Sequence, residues 1–146
     1  MRYDSNNICS LKEYVYNSNM HDAEIKILDY DWSKKYIILA LRNSFYRKAY
    51  TIEVESVQAF VFTRGDWGGS SIILSSLTVD NPDDQVTKLI MNKEHPEDVV
   101  YLCFQMFSGD EVQIAAKAIS INWSNVWLGK VGLIWIILTY YILVVK

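Results

Sequence analysis

The fold is decided by residues 99–123, VVYLCFQMFSGDEVQIAAKAISINW, in which two apolar runs flank a short polar turn. The runs, 99–107 and 111–123, are each long enough for a β-strand. Ser108, Gly109 and Asp110 lie between them, and a glycine in a three-residue loop can adopt the left-handed conformation that closes a hairpin. The stretch therefore predicts an antiparallel β-hairpin.

Upstream of this hairpin, alternation of apolar and polar residues predicts a second one. Residues 23–31 place Ile25 and Ile27 on one face and charged residues on the other. A polar turn at 32–35 separates them from the apolar run 36–42. Two adjacent runs joined by a short polar turn indicate an antiparallel meander.

The middle of the chain predicts further strands. Residues 45–55 and 57–63 indicate a third and a fourth run, and 71–79 return to strand. In the third run, Glu53 and Glu55 share one face because side chains alternate along a strand.

A short helix is predicted near residues 82–93. Asn81 is suited to the N-cap, Pro82 to the first helical position, and Val86 and Ile90 follow at helical spacing. The helix is the one regular α element that the pattern specifies well.

These elements predict a mainly β (α+β) chain: an antiparallel sheet or a two-layer β-sandwich with one short helix, followed by a C-terminal hydrophobic helix. We expect the β domain over residues 21–124 and an N-terminal strap over 1–20. In the strap, Leu11 and Val15 fit either one turn of helix or an irregular segment across the core.

The hydrophobic tail covers residues 126–146, of which sixteen are apolar and two, Lys130 and Lys146, are charged. A helix of about twenty residues spans about 30 Å, the thickness of the hydrocarbon core, whereas fifteen residues span about 22 Å. Because residues 131–145 are the uncharged core of the tail, a transmembrane helix requires Lys130 to extend to the interface. The alternative is a helix or strand buried in the domain.

Charge and cysteine content limit the partners and the compartment. The chain has 14 basic and 17 acidic residues, and two of the basic ones lie in the tail, so the head carries a net charge of −5. This charge disfavours nucleic acid and suits a basic protein partner. Cys9 and Cys103 do not suggest a disulfide framework, and residues 1–10 do not resemble a secretory signal, so we expect a cytoplasmic head, anchored to the membrane if the tail spans it.

The loop RGDWGGS, residues 64–70, has two interpretations. It is either a structural connection between strands or an exposed recognition loop in which Arg64, Asp66 and Trp67 contact a partner. Its glycine spacing matches neither a dinucleotide-binding turn nor a P-loop.

The remaining candidate partner-binding residues are Glu53, Glu55 and Asp22. The two glutamates fit a solvated sheet face better than acid–base chemistry, and Asp22 with His21 fits a turn better than a metal site. The sequence contains no nucleophile elbow and no zinc-like spacing. We therefore expect no catalytic residues, no metal and no cofactor.

Three short motifs carry a resemblance: HDAEI at 21–25, DWGGS at 66–70 and SGDEVQI at 108–114. Over residues 18–123 the chain resembles a family of small bacterial β-rich proteins that are similar to immunity-type partners of polymorphic toxins. The resemblance implies a β-rich fold and a protein partner. It implies no catalytic residues, and it does not extend to the tail.

The sequence thus favours a non-catalytic protein-binding module, of immunity type, with an acidic surface that binds a basic protein. The first alternative is a membrane-tethered accessory protein, in which the tail sets the location of the head. The second is a small hydrolase-like enzyme acting through residues such as Asp22 and Asp66.

Overall fold

The computed structural model describes residues 1–65, 72–77, 86, 90 and 98–126. In this part of the chain, the structure is mainly β, with one complete helix. The elements in chain order are β1 (Arg2–Asp4), a 3-10 turn (Ser5–Asn7), α1 (Ile8–Asn17), β2 (Glu24–Asp31), β3 (Tyr36–Asn43), β4 (Lys48–Thr63), β5 (Ile73–Leu77), β6 (Val100–Met106) and β7 (Glu111–Asn125).

The strands form one antiparallel sheet, the first of the two architectures predicted. Six strands follow the order β2-β3-β4-β7-β6-β5, and β1 pairs with β7 beyond the end of β6. An isolated antiparallel bridge joins Glu24, at the start of β2, to Ile72, just before β5. The two end strands therefore meet, and the sheet curls back on itself.

The two predicted hairpins are confirmed. β2 pairs with β3 across the turn at 32–35, and β6 pairs with β7 across a turn that contains Gly109 with a φ of 81°. Lys35 also has a positive φ, of 51°, at the end of the first turn. Both turns therefore use the left-handed conformation that fits the twist of a hairpin.

The prediction of two separate runs at 45–55 and 57–63 is wrong. The structure has a single strand, β4, that begins at Lys48 and pairs with β7 along its whole length. Ser56 has a φ of 52°, and the pairing register shifts between residues 57 and 59. A bulge thus bends one long strand where the sequence suggested a turn, because a single positive φ and a complete turn leave the same local signal.

The N-terminal segment is more regular than an irregular strap. β1 pairs with β7, and α1 extends over ten residues. Tyr3, Leu11 and Val15 are all buried in the main core, Leu11 with 0% exposure. Leu11 and Val15 lie four residues apart, so both reach the core from one face of the helix.

The main core fills the inward face of the curled sheet, and a smaller cluster lies on the outward face. Tyr101 alternates with Val100 and Leu102 of the main core, so it points outward. It belongs to the smaller cluster together with Val86 and Ile90, which are helical and buried. Val86 and Ile90 thereby cover part of the outward face of the sheet.

Two predictions fall mainly outside the described residues: the helix near 82–93, apart from positions 86 and 90, and the hydrophobic tail after Val126. Among the helices of the described residues, none has the length and apolar character needed to cross a bilayer.

Candidate functional site

Another part of the outward face carries carboxylates on neighbouring strands. Asp29 of β2 pairs with Ile38 of β3, and Ile38 pairs with Glu53 of β4. Residues directly opposite each other in a sheet point to the same side. Asp29 and Glu53 therefore share this side, two strands or about 10 Å apart.

A second row of carboxylates lies next to the first. Asp31 pairs with Tyr36 at the end of the β2–β3 hairpin, and Glu55 lies two residues after Glu53 on β4. Val54, between the two glutamates, has 0% exposure and belongs to the core, so the glutamates point outward. We call the four carboxylates Asp29, Asp31, Glu53 and Glu55 the acidic face.

A groove of about 370 Å³ opens on this face. It lies where the β2–β3 turn meets the bulge of β4, since the Val57 N–H donates to the Lys35 carbonyl at 2.8 Å. Its lining combines carboxylates with one aliphatic and one aromatic side chain: Asp29, Asp31, Lys34, Tyr36, Ile38, Glu55 and Ser56.

Tyr36 connects the groove to Glu53. Its hydroxyl donates to Glu53 Oε2 at 2.8 Å. Burial raises the pKa of the Tyr36 phenol well above its ordinary value, and the hydrogen bond to Glu53 and the charges of Glu53 and Glu55 raise it further. Tyr36 therefore stays protonated and holds the Glu53 carboxylate in place.

Asp31 orders the turn at the rim of the groove. Its Oδ1 accepts hydrogen bonds from the Ser33 hydroxyl at 2.7 Å, the Ser33 N–H at 3.0 Å and the Lys34 N–H at 3.1 Å. The bond from the Ser33 hydroxyl, followed by those from Lys34, lowers the pKa of Asp31 to about 2. The carboxylate is thus ionised throughout the ordinary pH range.

Two cations partly balance the carboxylates. Arg2 of β1 lies 3.2 Å from Glu55 and 3.8 Å from Asp4, and Lys34 lies 3.2 Å from Asp31. Both cations are mostly exposed, with side-chain exposures of 57% and 67%. Exposed pairs of this kind are weak and exchange readily, so the acidic face keeps a negative potential.

Of the four predicted site residues that the structure describes, it brings together Glu53 and Glu55. Asp22 lies in the turn before β2, with a φ of 63° and its carboxylate 2.9 Å from His21 Nδ1. The Asn43 side chain donates to the His21 carbonyl, which places this turn at the far end of β3 from the groove.

The described start of the predicted recognition loop, Arg64 and Gly65, also lies away from the groove. Arg64 is exposed and follows the last residue of β4, nine residues or about 30 Å of extended strand from Glu55. The next residue, Gly65, donates its N–H to Asp110 Oδ1 at 2.8 Å. Asp66 and Trp67 are outside the described residues, so their role stays a prediction.

The candidate residues predicted from the sequence did not include Asp29, Asp31, Lys34 or Tyr36. The register of the hairpins, which the positions of the turns set, could have placed these residues together. A turn at 32–35 sets Asp31 opposite Tyr36, and a turn ending before Lys48 sets Ile38 opposite Glu53.

The comparisons with known proteins add no family to this description: no protein-family model matches the sequence, and no curated protein matches it. The resemblance to immunity-type proteins therefore stays a prediction. Within the described residues, no three His, Cys, Asp or Glu side chains are grouped closely enough to hold a metal ion. The chemistry available on the acidic face is electrostatic attraction and hydrogen-bond acceptance.

Proposed function

We propose that this protein is a non-catalytic protein-binding module whose acidic face receives lysine or arginine side chains of a basic protein partner. The observation that carries the proposal is the convergence of Asp29, Asp31 and Glu55 around one groove. The net charge of −5 on the head acts in the same direction, because electrostatic complementarity accelerates encounter and selects the partner.

The lining of the groove matches a long cationic side chain. Ile38 and the ring of Tyr36 offer apolar surface to the methylene stem, while Asp29 and Glu55 offer acceptors to its charged end. A guanidinium is favoured over an ammonium, because its five donors can bond two carboxylates at once.

We propose no catalytic step, because Glu53, Glu55 and Asp31 each already make a structural contact. Glu53 accepts a hydrogen bond from Tyr36, Glu55 accepts one from Arg2, and Asp31 orders its turn. A partner's cation can displace Arg2 from Glu55 at little cost, since that pair is exposed.

The test is calorimetric titration of the full chain, in a non-ionic detergent, with synthetic dodecapeptides rich in arginine, lysine or glutamate. We expect the arginine peptide to bind more tightly than the lysine peptide. The double variant Asp29→Asn/Glu55→Gln is expected to weaken arginine-peptide binding about tenfold, because it removes two acceptors.

The matched control is Glu13→Gln/Asp98→Asn, which removes the same charge from exposed positions outside the groove. This variant is expected to bind nearly as tightly as the unaltered chain. Equal weakening in both double variants would mean that net charge alone attracts the peptide, and the groove would have no role. Binding of the glutamate peptide would contradict the proposal outright.

The resemblance to immunity-type proteins makes a toxin the kind of basic partner we propose. A toxin encoded beside this gene would be co-expressed with the unaltered chain or with Asp29→Asn/Glu55→Gln in a sensitive host. Protection by the unaltered chain that the variant loses supports an immunity role. Equal protection by the unaltered chain and the variant would mean that immunity does not depend on the acidic face.

A further inference from the structure

One end of the head collects exposed aromatic side chains, and the chain leaves the sheet toward the hydrophobic tail at this end. The Val126 N–H donates to the Arg47 carbonyl at 2.7 Å. Arg47 belongs to the turn between β3 and β4, which also carries Phe45, 83% exposed, and Tyr46, 43% exposed. The beginning of the tail is therefore held beside two exposed aromatic rings.

Two more aromatic residues lie at this end. Trp123, near the end of β7, is 54% exposed and pairs with Tyr50 of β4. Tyr16, in the last turn of α1, is 87% exposed. The chain just after α1 reaches the same place, because the Asn19 N–H donates to the Tyr50 hydroxyl at 3.2 Å. We call Tyr16, Phe45, Tyr46 and Trp123 the aromatic end.

Charged residues at the aromatic end are nearly balanced. Lys48 Nζ lies 5.2 Å from the centre of the Trp123 ring, and Arg47 is exposed. The acidic residues nearby are Glu13, which lines a groove with Lys48 and Trp123, and Asp22, which pairs with His21. Because the charges nearly cancel, the aromatic rings decide which surface this end suits.

We propose that the aromatic end lies in the headgroup region of a lipid bilayer, with Trp123, Phe45, Tyr46 and Tyr16 as interfacial anchors. The rings combine an apolar body with, in Trp and Tyr, a polar group, and such residues concentrate at the membrane–water interface. The inference rests on the tail crossing the bilayer and is independent of the acidic face.

The length and position of the tail support a bilayer as the occupant. The twenty residues after Val126 carry Lys130 and Lys146 as their charged residues, and they begin beside the aromatic end. A helix that enters the bilayer here brings the head within a few residues of the interface. Four exposed rings at the point of entry would then contact lipid without any rearrangement of the sheet.

This placement also orients the head. β3 runs from the turn at 32–35 to the turn at 44–47, and its eight residues span about 26 Å. The first turn borders the groove of the acidic face, and the second belongs to the aromatic end. The acidic face thus lies at the end of the head farther from the lipid, where a basic protein can reach it.

The test compares two exposed serines in turns at opposite ends of β3. Ser44→Cys and Ser33→Cys are each made in a Cys9→Ser background and labelled with an environment-sensitive fluorophore. Cys103 is buried and remains in this background. The variant Cys9→Ser without a new cysteine therefore measures any background labelling of Cys103. The full chain is reconstituted in phosphatidylcholine vesicles that contain a lipid with a spin label at its headgroup.

We expect the spin-labelled lipid to quench the fluorophore at position 44 several-fold more than the one at position 33. Replacing Phe45, Tyr46 and Trp123 by serine should reduce quenching at position 44 while the chain still floats with the vesicles. Equal quenching at the two positions, or stronger quenching at position 33, would overturn the proposal.

Two further outcomes are also decisive. A full chain that does not float with vesicles would remove the membrane anchor on which the inference rests. Shielding of position 44 from aqueous iodide without lipid would show that the tail or a second copy covers the aromatic end instead. Binding of the arginine peptide to the acidic face is expected to survive in both cases, so failure here would not be failure of the proposed function.

Discussion

At the scale of single residues, Asp31 shows how a turn fixes the chemistry of a groove. Its carboxylate accepts three hydrogen bonds from the turn that it precedes, and its pKa is lowered to about 2. An ordinary aspartate titrates near 4. Asp31 therefore favours the folded turn above pH of about 4, and this contribution is lost as the pH falls toward 2.

Carbon NMR titration of the side-chain carboxyls tests this. We expect the midpoint of Asp31 to lie at about 2, and Ser33→Ala to move it upward, because the hydroxyl of Ser33 is the largest cause of the shift. Thr63→Ala, an exposed change at the end of β4, is the control. An unchanged midpoint in Ser33→Ala would mean that backbone donors alone hold the carboxylate.

Gly65 is a second residue whose identity follows from its surroundings. A Cβ at this position would overlap the backbone of Gly109, which cannot move aside as a flexible side chain could. Gly65→Ala is therefore expected to destabilise the fold by about 1–3 kcal/mol through overpacking. Chemical denaturation measures this loss. The control Ser44→Ala, at an exposed position, should change the free energy of unfolding little. Equal stability of the two variants would contradict this close approach.

At the scale of elements, α1 belongs to the core and does not merely cross it. Leu11→Ala is expected to cost about 2–5 kcal/mol, the range for removing a buried leucine side chain. Leu11 has 0% exposure, whereas Cys9 on the same helix is exposed, so Cys9→Ala is the matched control. Urea denaturation distinguishes the two. A loss below about 1 kcal/mol for Leu11→Ala would mean that α1 is only loosely attached.

The elements also show what the sequence could predict. The hairpins β2–β3 and β6–β7 were predictable because each has a local turn and an alternating pattern on both sides. The same local information placed Glu53 and Glu55 on one face. It did not reveal the bulge at Ser56, because a strand with one positive φ and a pair of strands with a turn look alike in sequence.

The pairing of strands that lie far apart in the sequence could not be predicted from local sequence patterns. Nothing near β4 indicates that its whole length pairs with β7, and nothing near β1 indicates that it occupies the edge of β7 beyond β6. These pairings determine that Arg2 reaches Glu55. The acidic face could therefore be predicted only in part: its carboxylates from the registers of β2–β3 and β3–β4, but the approach of Arg2 only from the fold.

At the scale of the whole molecule, the acidic face and the aromatic end occupy opposite ends of β3. If the acidic face attracts a basic partner mainly through charge, the affinity must fall with salt. We expect arginine-peptide binding to weaken several-fold between 0.05 and 0.5 M salt, since the screening length shortens from about 14 Å to about 4 Å. Titrations at several salt concentrations measure this slope.

The variant Asp29→Asn/Glu55→Gln should show a shallower salt dependence than the unaltered chain, because fewer charges remain in the groove. The vesicle experiment should respond differently. Quenching at position 44 is expected to change little with salt, since aromatic burial and not charge holds that end at the interface. A steep salt dependence of both measurements would argue that a single electrostatic surface serves both contacts.

The position of β7 has a consequence for how the head assembles in time. β7 is the last described strand in chain order, yet it is the hydrogen-bonded partner of β1, β4 and β6. Pairing between distant segments is slow, because loop closure must precede any gain from contact. During synthesis, β1 and β4 therefore have no β7 to pair with until residues 111–125 appear. We expect the nascent head to remain protease-sensitive through most of translation and to become resistant in one late step.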